Sequence, residues 1–291
     1  MITINKNKGG EMFKIVNKKM LNPTVCEMDI EAPLVAKKAD AGQFIILRVD
    51  ENGERIPLTV AGYDRKKGWV KIIFQVVGAS TKQLEMKNKG DYIQDFVGPL
   101  GRATEVEGLK RVCVVGGGVG CAIAYPLAEK LFKMGANTTT ITGFRNKDLV
   151  ILEEEFKKNS TSHICVTDDG TFGEQGNVCM PLERLLSSGE KFDKIFAIGP
   201  IIMMKFVTET AKKYNVPCIV SMNPVMIDGT GMCGGCRITV GGEVKFACVD
   251  GPEFDGYQVN FEELMLRNGM YAEFEKHRYE ETCNLFKKEV K

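Results

Sequence analysis

Two hydrophobic rhythms divide the chain. Up to about residue 100, short stretches rich in β-branched and aromatic residues (FKIVNKKML, QFIILRVD, IPLTVAGYD, WVKIIFQVV and DYIQDFVGP) are separated by clusters of Gly, Asn, Asp or Lys. Many short strands at this spacing predict a closed antiparallel barrel or sandwich. One helix is expected within it, at STKQLEMK. From Lys110 to Met222 the rhythm changes. Apolar runs (RVCVVGGG, TTTITGFR, HICVTDD, KIFAIGP, PCIVSM) alternate with helical patterns such as VGCAIAYPLAEKLFKMG, MPLERLLSSG and IIMMKFVTETAKKY. That alternation predicts a parallel sheet with crossover helices, whose strands are apolar because both faces are covered. Pro126 falls inside the first of these helices and predicts a kink.

A third texture follows. Residues 223–257 are rich in glycine and cysteine and too short for a core of their own, so they need a metal or a host surface. From Phe261 the chain is charged, with Leu264, Leu266, Met270, Phe274 and Tyr279 at helical spacing. The expected organisation is a barrel over 12–104, an α/β domain over 108–222, a small cysteine module over 223–257 and a helical tail over 258–291. Residues 1–11 read as a frayed extension or as the product of an upstream start, with Met12 opening the first patterned stretch.

Composition narrows the partners. Lys and Arg number 39 against 38 Asp and Glu, and no basic stripe stands out, so no nucleic-acid partner is expected. No apolar run reaches the ~20 residues of a membrane span. Ten cysteines without an export signal suit a reducing cytoplasm rather than a disulfide scaffold.

Three clusters carry candidate chemistry. In VCVVGGGVGCAIA, Gly117, Gly118 and Gly120 lie between a strand and a helix, where backbone can approach a pyrophosphate at a helix N-terminus. The next strand ends in Gly143-Phe144-Arg145, without the acid that holds a ribose in the common dehydrogenase pattern, so NAD and NADP are not distinguished. Asp168, Asp169 and Gly170, and then Gly199 and Pro200, lie at other strand ends, where open α/β sheets bind ligands. In the barrel, Arg55-Ile56-Pro57-Leu58-Thr59 is followed by Gly78-Ala79-Ser80-Thr81 at a strand-to-helix turn. Ser80 and Thr81 there either cap the helix or bond a phosphate.

The last cluster is IDGTGMCGGC, with Cys248 beyond it. Cys233, Cys236 and Cys248 follow C-x2-C-x11-C, and thiolates are the usual ligands of iron–sulfur clusters and structural zinc. A fourth ligand is needed. The two histidines, His163 and His277, are far along the chain, so Asp228 is the local candidate. Zinc, a Cys-x-x-Cys redox dithiol and buried unliganded thiols compete with a [2Fe–2S] cluster. The bland reading suits Cys26, Cys113, Cys121, Cys165, Cys179, Cys218 and Cys283 better than this glycine-rich loop.

Barrel strand, GGGVG, DDGTFG and IGP in this order resemble the ferredoxin-NADP reductase superfamily. The resemblance implies FAD in the barrel and NAD(H) on the second domain. Thr59 would reach the flavin near N5; Arg55, Ser80 and Thr81 would serve its phosphates or their surroundings. Pro57, Leu58, Phe74 and Gln75 complete the implied flavin site. Gly117, Gly118, Gly120, Asp169, Gly170, Gly199 and Pro200 complete the nucleotide site. The aromatic C-terminus of the plant-type members is absent.

With the cysteine module, the chain resembles the electron-transfer subunit of dihydroorotate dehydrogenase, which has C-x4-C-x2-C-x11-C where this chain has D-x4-C-x2-C-x11-C. Aspartate there is similar to the small subunit of NADH-dependent reduced ferredoxin:NADP oxidoreductase. That resemblance implies Asp228, Cys233, Cys236 and Cys248 as ligands of a [2Fe–2S] cluster. It also implies electrons moving between NAD(H), FAD and the cluster, no catalytic side chain, and electron bifurcation in a heterodimer. The implied partner is a larger flavin/[4Fe–4S] subunit, with ferredoxin engaged indirectly. A redox- or nucleotide-sensing module without turnover is the alternative from another class.

Overall fold

The structure is a computed structural model and describes residues 12–289, with side chains as far as residue 280. The expectation for residues 1–11 lies outside the described residues.

Seven strands build the first sheet: β1 (Phe13–Asn22), β2 (Val25–Glu31), β3 (Phe44–Arg48), β4 (Arg55–Asp64), β5 (Trp69–Gln75), β6 (Tyr92–Ile93) and β7 (Asp95–Leu100). Their order is β6-β1-β2-β5-β4-β3-β7, with antiparallel pairing throughout. The period of two decides what faces inward. On β5, Val70, Ile72 and Phe74 are buried in the barrel core with Ile45, Leu47 and Val60. Lys71 between them points out and pairs with Glu27 and Asp29 of β2. Those two carboxylates break the apolar pattern of VCEMDIE, which is why β2 is a strand that pattern alone does not reveal. Two helices, α1 (Pro33–Lys38) and α2 (Ala79–Met86), interrupt the barrel where one was expected.

The second sheet comprises β8 (Arg111–Gly117), β9 (Asn137–Phe144), β10 (Ser162–Thr167), β11 (Glu174–Gln175), β12 (Lys194–Ile198) and β13 (Cys218–Ser221). It is parallel, with β8 between β9 and β12. Helices α3 (Cys121–Lys133), α4 (Glu153–Lys158), α5 (Cys179–Ser187) and α6 (Ile201–Lys213) join its strands. Both faces are covered. Cys113 and Val115 of β8 enter one core and Val112 and Val114 the other, as an unbroken apolar run demands. Strand β9 is buried despite its threonines, because the hydroxyls of Thr138 and Thr140 bond to the Ala136 carbonyl and to Ser160. The helix α3 runs through Pro126 rather than ending at it.

After β13 the chain leaves the sheet, forms the hairpin β14 (Arg237–Val240) and β15 (Glu243–Phe246), turns through α7 (Ala247–Asp250) and returns as β16 (Glu253–Asp255). This last strand is antiparallel and closes the edge of the nucleotide sheet beside β13. The end of the cysteine-bearing stretch is thus part of the α/β sheet. Helix α8 (Phe261–Asn268) docks through Leu264, which is buried, and a Lys205–Glu262 ion pair at 2.6 Å. Helix α9 (Ala272–Glu289) lies against α2. Of the tail's expected apolar stripe, Leu266, Met270 and Phe274 are exposed. Among the described residues no helix is long and apolar enough to cross a membrane.

Candidate functional site: a cleft between barrel and sheet, and a cysteine loop beside it

A cleft of about 1140 Å³ opens between the two sheets. The barrel contributes Pro57, Leu58 and Thr59 of β4 and Gln75 of β5. The α/β sheet contributes Gly117, Gly118 and Gly120, then Gly199 and Pro200. These nine predicted residues come from positions up to 143 residues apart and share one cavity, with Arg145 and Asp168 beside them.

The glycines there have distinct physical reasons. A Cβ on Gly120 would stand 2.6 Å from the Ile198 carbonyl oxygen and 2.7 Å from Gly199 Cα, so the turn is wedged against the end of β12. Gly118 has φ +55°, and a Cβ there would meet nothing within 4 Å. That is a backbone held open toward the cleft at the start of α3, the arrangement that suits a pyrophosphate. The cleft volume, its apolar barrel wall and its glycine wall fit FAD and a pyridine nucleotide.

Other predicted residues lie elsewhere. Phe74 is buried in the barrel core. The Ser80 hydroxyl donates to Glu54 Oε2 at 2.9 Å, and Thr81 Oγ1 accepts from the Val77 and Gly78 amides. Thr81 therefore serves the turn before α2, Ser80 ties the start of that helix to Glu54 ahead of β4, and neither lines the cleft. The Asp169 carboxylate accepts from the Thr171 hydroxyl and amide, which hold it below the ordinary carboxylate range. Gly170 supplies the positive φ, +72°, of that same turn. Arg55 stands at the start of β4, and its Nε–H donates to the Ile227 carbonyl at 3.0 Å.

The cleft also contains residues that no motif announced: Met203, Phe206, Asn223, Met226 and Pro252. Phe144 and Arg145 were visible only as a strand tip lacking an acid. Cys179, expected among the buried thiols, is half-buried and lines the cleft, whereas Cys26, Cys113, Cys121, Cys165 and Cys218 are buried. The side chain of Cys283 lies outside the described residues.

The cysteine loop lies against the barrel. A Cβ on Gly229, whose φ is +75°, would come within 2.8 Å of Ile46 Cδ1 and 2.6 Å of Leu100 Cδ1. Within the loop, Cys236 Sγ and Cys248 Sγ are buried and 3.2 Å apart, in contact but not bonded. Cys233 is exposed. The Asp228 carboxylate accepts from the Thr230 amide at 2.9 Å and the Cys233 amide at 2.8 Å, and these hold it below the ordinary carboxylate range. Burial and the adjacent Cys236 thiol push Cys248 up to about 12. Among the described residues no three His, Cys, Asp or Glu side chains converge tightly enough to hold a metal as they stand. The donor chemistry nevertheless fits a cluster. Two thiols touch, a third is tethered through its amide to an ionised carboxylate, and Gly231 and Gly234, at φ +86° and +68°, are the hinges of the segment between.

A barrel and a parallel sheet meeting at such a cleft, beside a thiol-rich loop, define a flavin- and iron–sulfur-dependent oxidoreductase subunit with the ferredoxin-NADP reductase architecture. Residues 223–260 match the iron–sulfur cluster binding domain of dihydroorotate dehydrogenase B. The chain is 47% identical, over 94% of its length and 96% of the relative's, to the dihydroorotate dehydrogenase B (NAD(+)) electron transfer subunit homolog of Thermotoga maritima. It is 33% identical to the electron transfer subunit of Geobacillus thermodenitrificans, over 86% of this chain and 98% of that one. A chain of the solved NADH-dependent reduced ferredoxin-NADP oxidoreductase superposes with a TM-score of 0.87 at 45% identity, covering 94% of this chain and 99% of that one. The protein belongs to the family of dihydroorotate dehydrogenase B electron-transfer subunits and their homologues.

Proposed function

We propose that this chain is the NAD(H)-handling subunit of an electron-bifurcating NADH-dependent reduced ferredoxin:NADP oxidoreductase, working in the cytoplasm with a larger flavin/[4Fe–4S] subunit. The single observation that carries the reading is the cleft, which sets Pro57-Leu58-Thr59 opposite Gly117-Gly118 and Gly199-Pro200, with the cysteine loop seated on the same barrel. Bound FAD and a [2Fe–2S] cluster would supply the redox chemistry, exchanging a hydride with NAD(H) on one side and single electrons on the other.

The protein's own part is placement. The β4 wall presents Pro57, Leu58 and Thr59 to the flavin. Gly118 and Gly120 leave backbone amides free for the nucleotide's pyrophosphate, and Gly199 and Pro200 border its nicotinamide end. Asp228, Cys233, Cys236 and Cys248 would hold the cluster. A carboxylate in place of one thiolate favours the bifurcating enzyme over the dihydroorotate dehydrogenase subunit, whose corresponding residue is cysteine. It also alters the potential through ligand hardness.

Anaerobic purification of the native complex tests this. The expected result is one FAD and two irons with two sulfides on this chain, and a co-purifying larger flavoprotein. Zinc in the loop, a colourless chain, or a dihydroorotate-oxidising partner would overturn it.

A further inference from the structure

The cysteine loop and the flavin strand meet through a side chain whose partner is 172 residues away in sequence. Arg55 begins β4 in register with Arg48 of β3, and Arg48 Nε is itself held by Asp95 of β7 at 2.7 Å. The Arg55 backbone is therefore fixed in the barrel. Arg55 lies on the same strand, two and four residues before Pro57 and Thr59, which line the cleft together with Leu58. Its Nε–H donates to the carbonyl of Ile227, the residue immediately before Asp228. Among the described residues its terminal amino groups have no acceptor.

The loop packs closely on the barrel beside the Arg55 contact. Gly229 is pressed on Ile46, and Ile46 is the register partner of Pro57. Asp228 accepts from the Cys233 amide, so the Ile227 carbonyl, the Asp228 carboxylate and the Cys233 backbone form a short continuous chain.

We infer that Arg55 is a positioning residue that couples the two cofactor sites, holding the Asp228 end of the cluster loop through Nε while its terminal amino groups face an anion at the mouth of the flavin cleft. This rests on the function proposed above. The guanidinium suits the role because its planar fork serves two acceptors in fixed relative directions, which a lysine ammonium does not. A link of this kind is reciprocal: whatever orders the guanidinium from the flavin side also orders Ile227, and loosening the loop weakens flavin binding by the same factor.

The test compares full-length wild type, Arg55→Lys and Arg55→Ala, each prepared anaerobically. FAD affinity is measured by fluorescence of released flavin. The electron paramagnetic resonance spectrum and midpoint potential of the reduced cluster are recorded with FAD bound and after its removal. In wild type, removing FAD is expected to broaden the cluster spectrum and shift its potential. Arg55→Lys keeps the positive charge, so it should retain iron and most FAD, with affinity about fivefold weaker. Its cluster spectrum should be broadened already and change little on FAD removal. Arg55→Ala should show the same uncoupling with a larger loss of FAD. Variants whose cluster responds to FAD removal as wild type does would overturn the coupling while leaving the proposed function intact. Wild-type protein without FAD or iron would remove both. Matching far-ultraviolet circular dichroism shows that each variant is folded.

Discussion

The nucleotide-binding sheet and the cysteine loop carry comparable glycine motifs but are held in place by opposite means. In the sheet, every strand of the central trio is buried on two faces, and Gly120 is wedged against the end of β12, an element that is already fixed. In the loop, the exposed Cys233, the positive φ angles of Gly229, Gly231 and Gly234, and the contact of Gly229 with Ile46 and Leu100 describe a segment shaped by its host. Local pattern is sufficient for the first. The second needs a neighbouring barrel and a metal.

The sharpest way to break this comparison is Gly120→Val. A branched side chain would be driven into backbone at Ile198 and Gly199, which cannot yield. A cost of about 3 kcal/mol and loss of nucleotide binding are expected, and both are measured by urea unfolding and NADH titration. Unchanged stability would mean that the turn is not wedged.

Gly229→Val should act locally. Its positive φ and its side-chain contacts with the barrel cost about 1–3 kcal/mol of loop seating. Iron content should fall and FAD binding should weaken with it, while the nucleotide sheet survives. Loss of the whole fold would show that the loop supports the barrel rather than the reverse.

A smaller effect is expected where the two regions meet. The Thr104 hydroxyl donates to Glu253 Oε1 at 2.7 Å, joining the barrel's exit to β16. Burial pushes Glu253 up to about 7, against that hydrogen bond and the charges of Lys194 and Lys130. A raised carboxyl favours folding while protonated. Its contribution is present below the ordinary carboxylate range, near 4.5, and is lost as pH rises through about 7. Unfolding free energies measured from pH 4.5 to 8 should show this decline, on the order of 1–3 kcal/mol, and Glu253→Gln should flatten it.

The smallest effect lies wholly inside the patterned region. Burial opposes ionisation of Glu153, but the His163 ring at 2.9 Å and the Lys157 ammonium outweigh it and hold the carboxyl below its ordinary range. The stabilisation is present above that range and fades as pH falls through the lowered value. Glu153→Gln should cost about 1 kcal/mol or less at pH 7 and blunt the acid limb of a thermal melt. An unaltered acid limb would show that the pair carries no such stabilisation.

How much was legible in sequence follows the same division. The apolar runs of β8 and β12 and the helices between them could be read directly, because burial on both faces leaves an unmistakable composition. Strand β2 could not, since Glu27 and Asp29 are satisfied by Lys71 from the next strand. The cleft's glycines and Thr59 were readable as motifs. Met203, Phe206, Met226 and Pro252 were not, because each reaches the cavity through tertiary packing rather than through a local signal. Spacing singled out the cysteine set as a candidate, but not the Arg55 bridge, whose partner is a main-chain carbonyl that any residue would provide.

The return of β16 to the edge of the nucleotide sheet has a consequence for how such proteins diversify. Ser221 and Glu253 are paired neighbours, so everything between them leaves from and rejoins the host at nearly one point. An excursion anchored at both feet in this way is exchangeable cargo. It can grow, shrink or change its residues while the scaffold beneath keeps its connectivity, and the carboxylate proposed as a ligand at Asp228 would be a change of that kind.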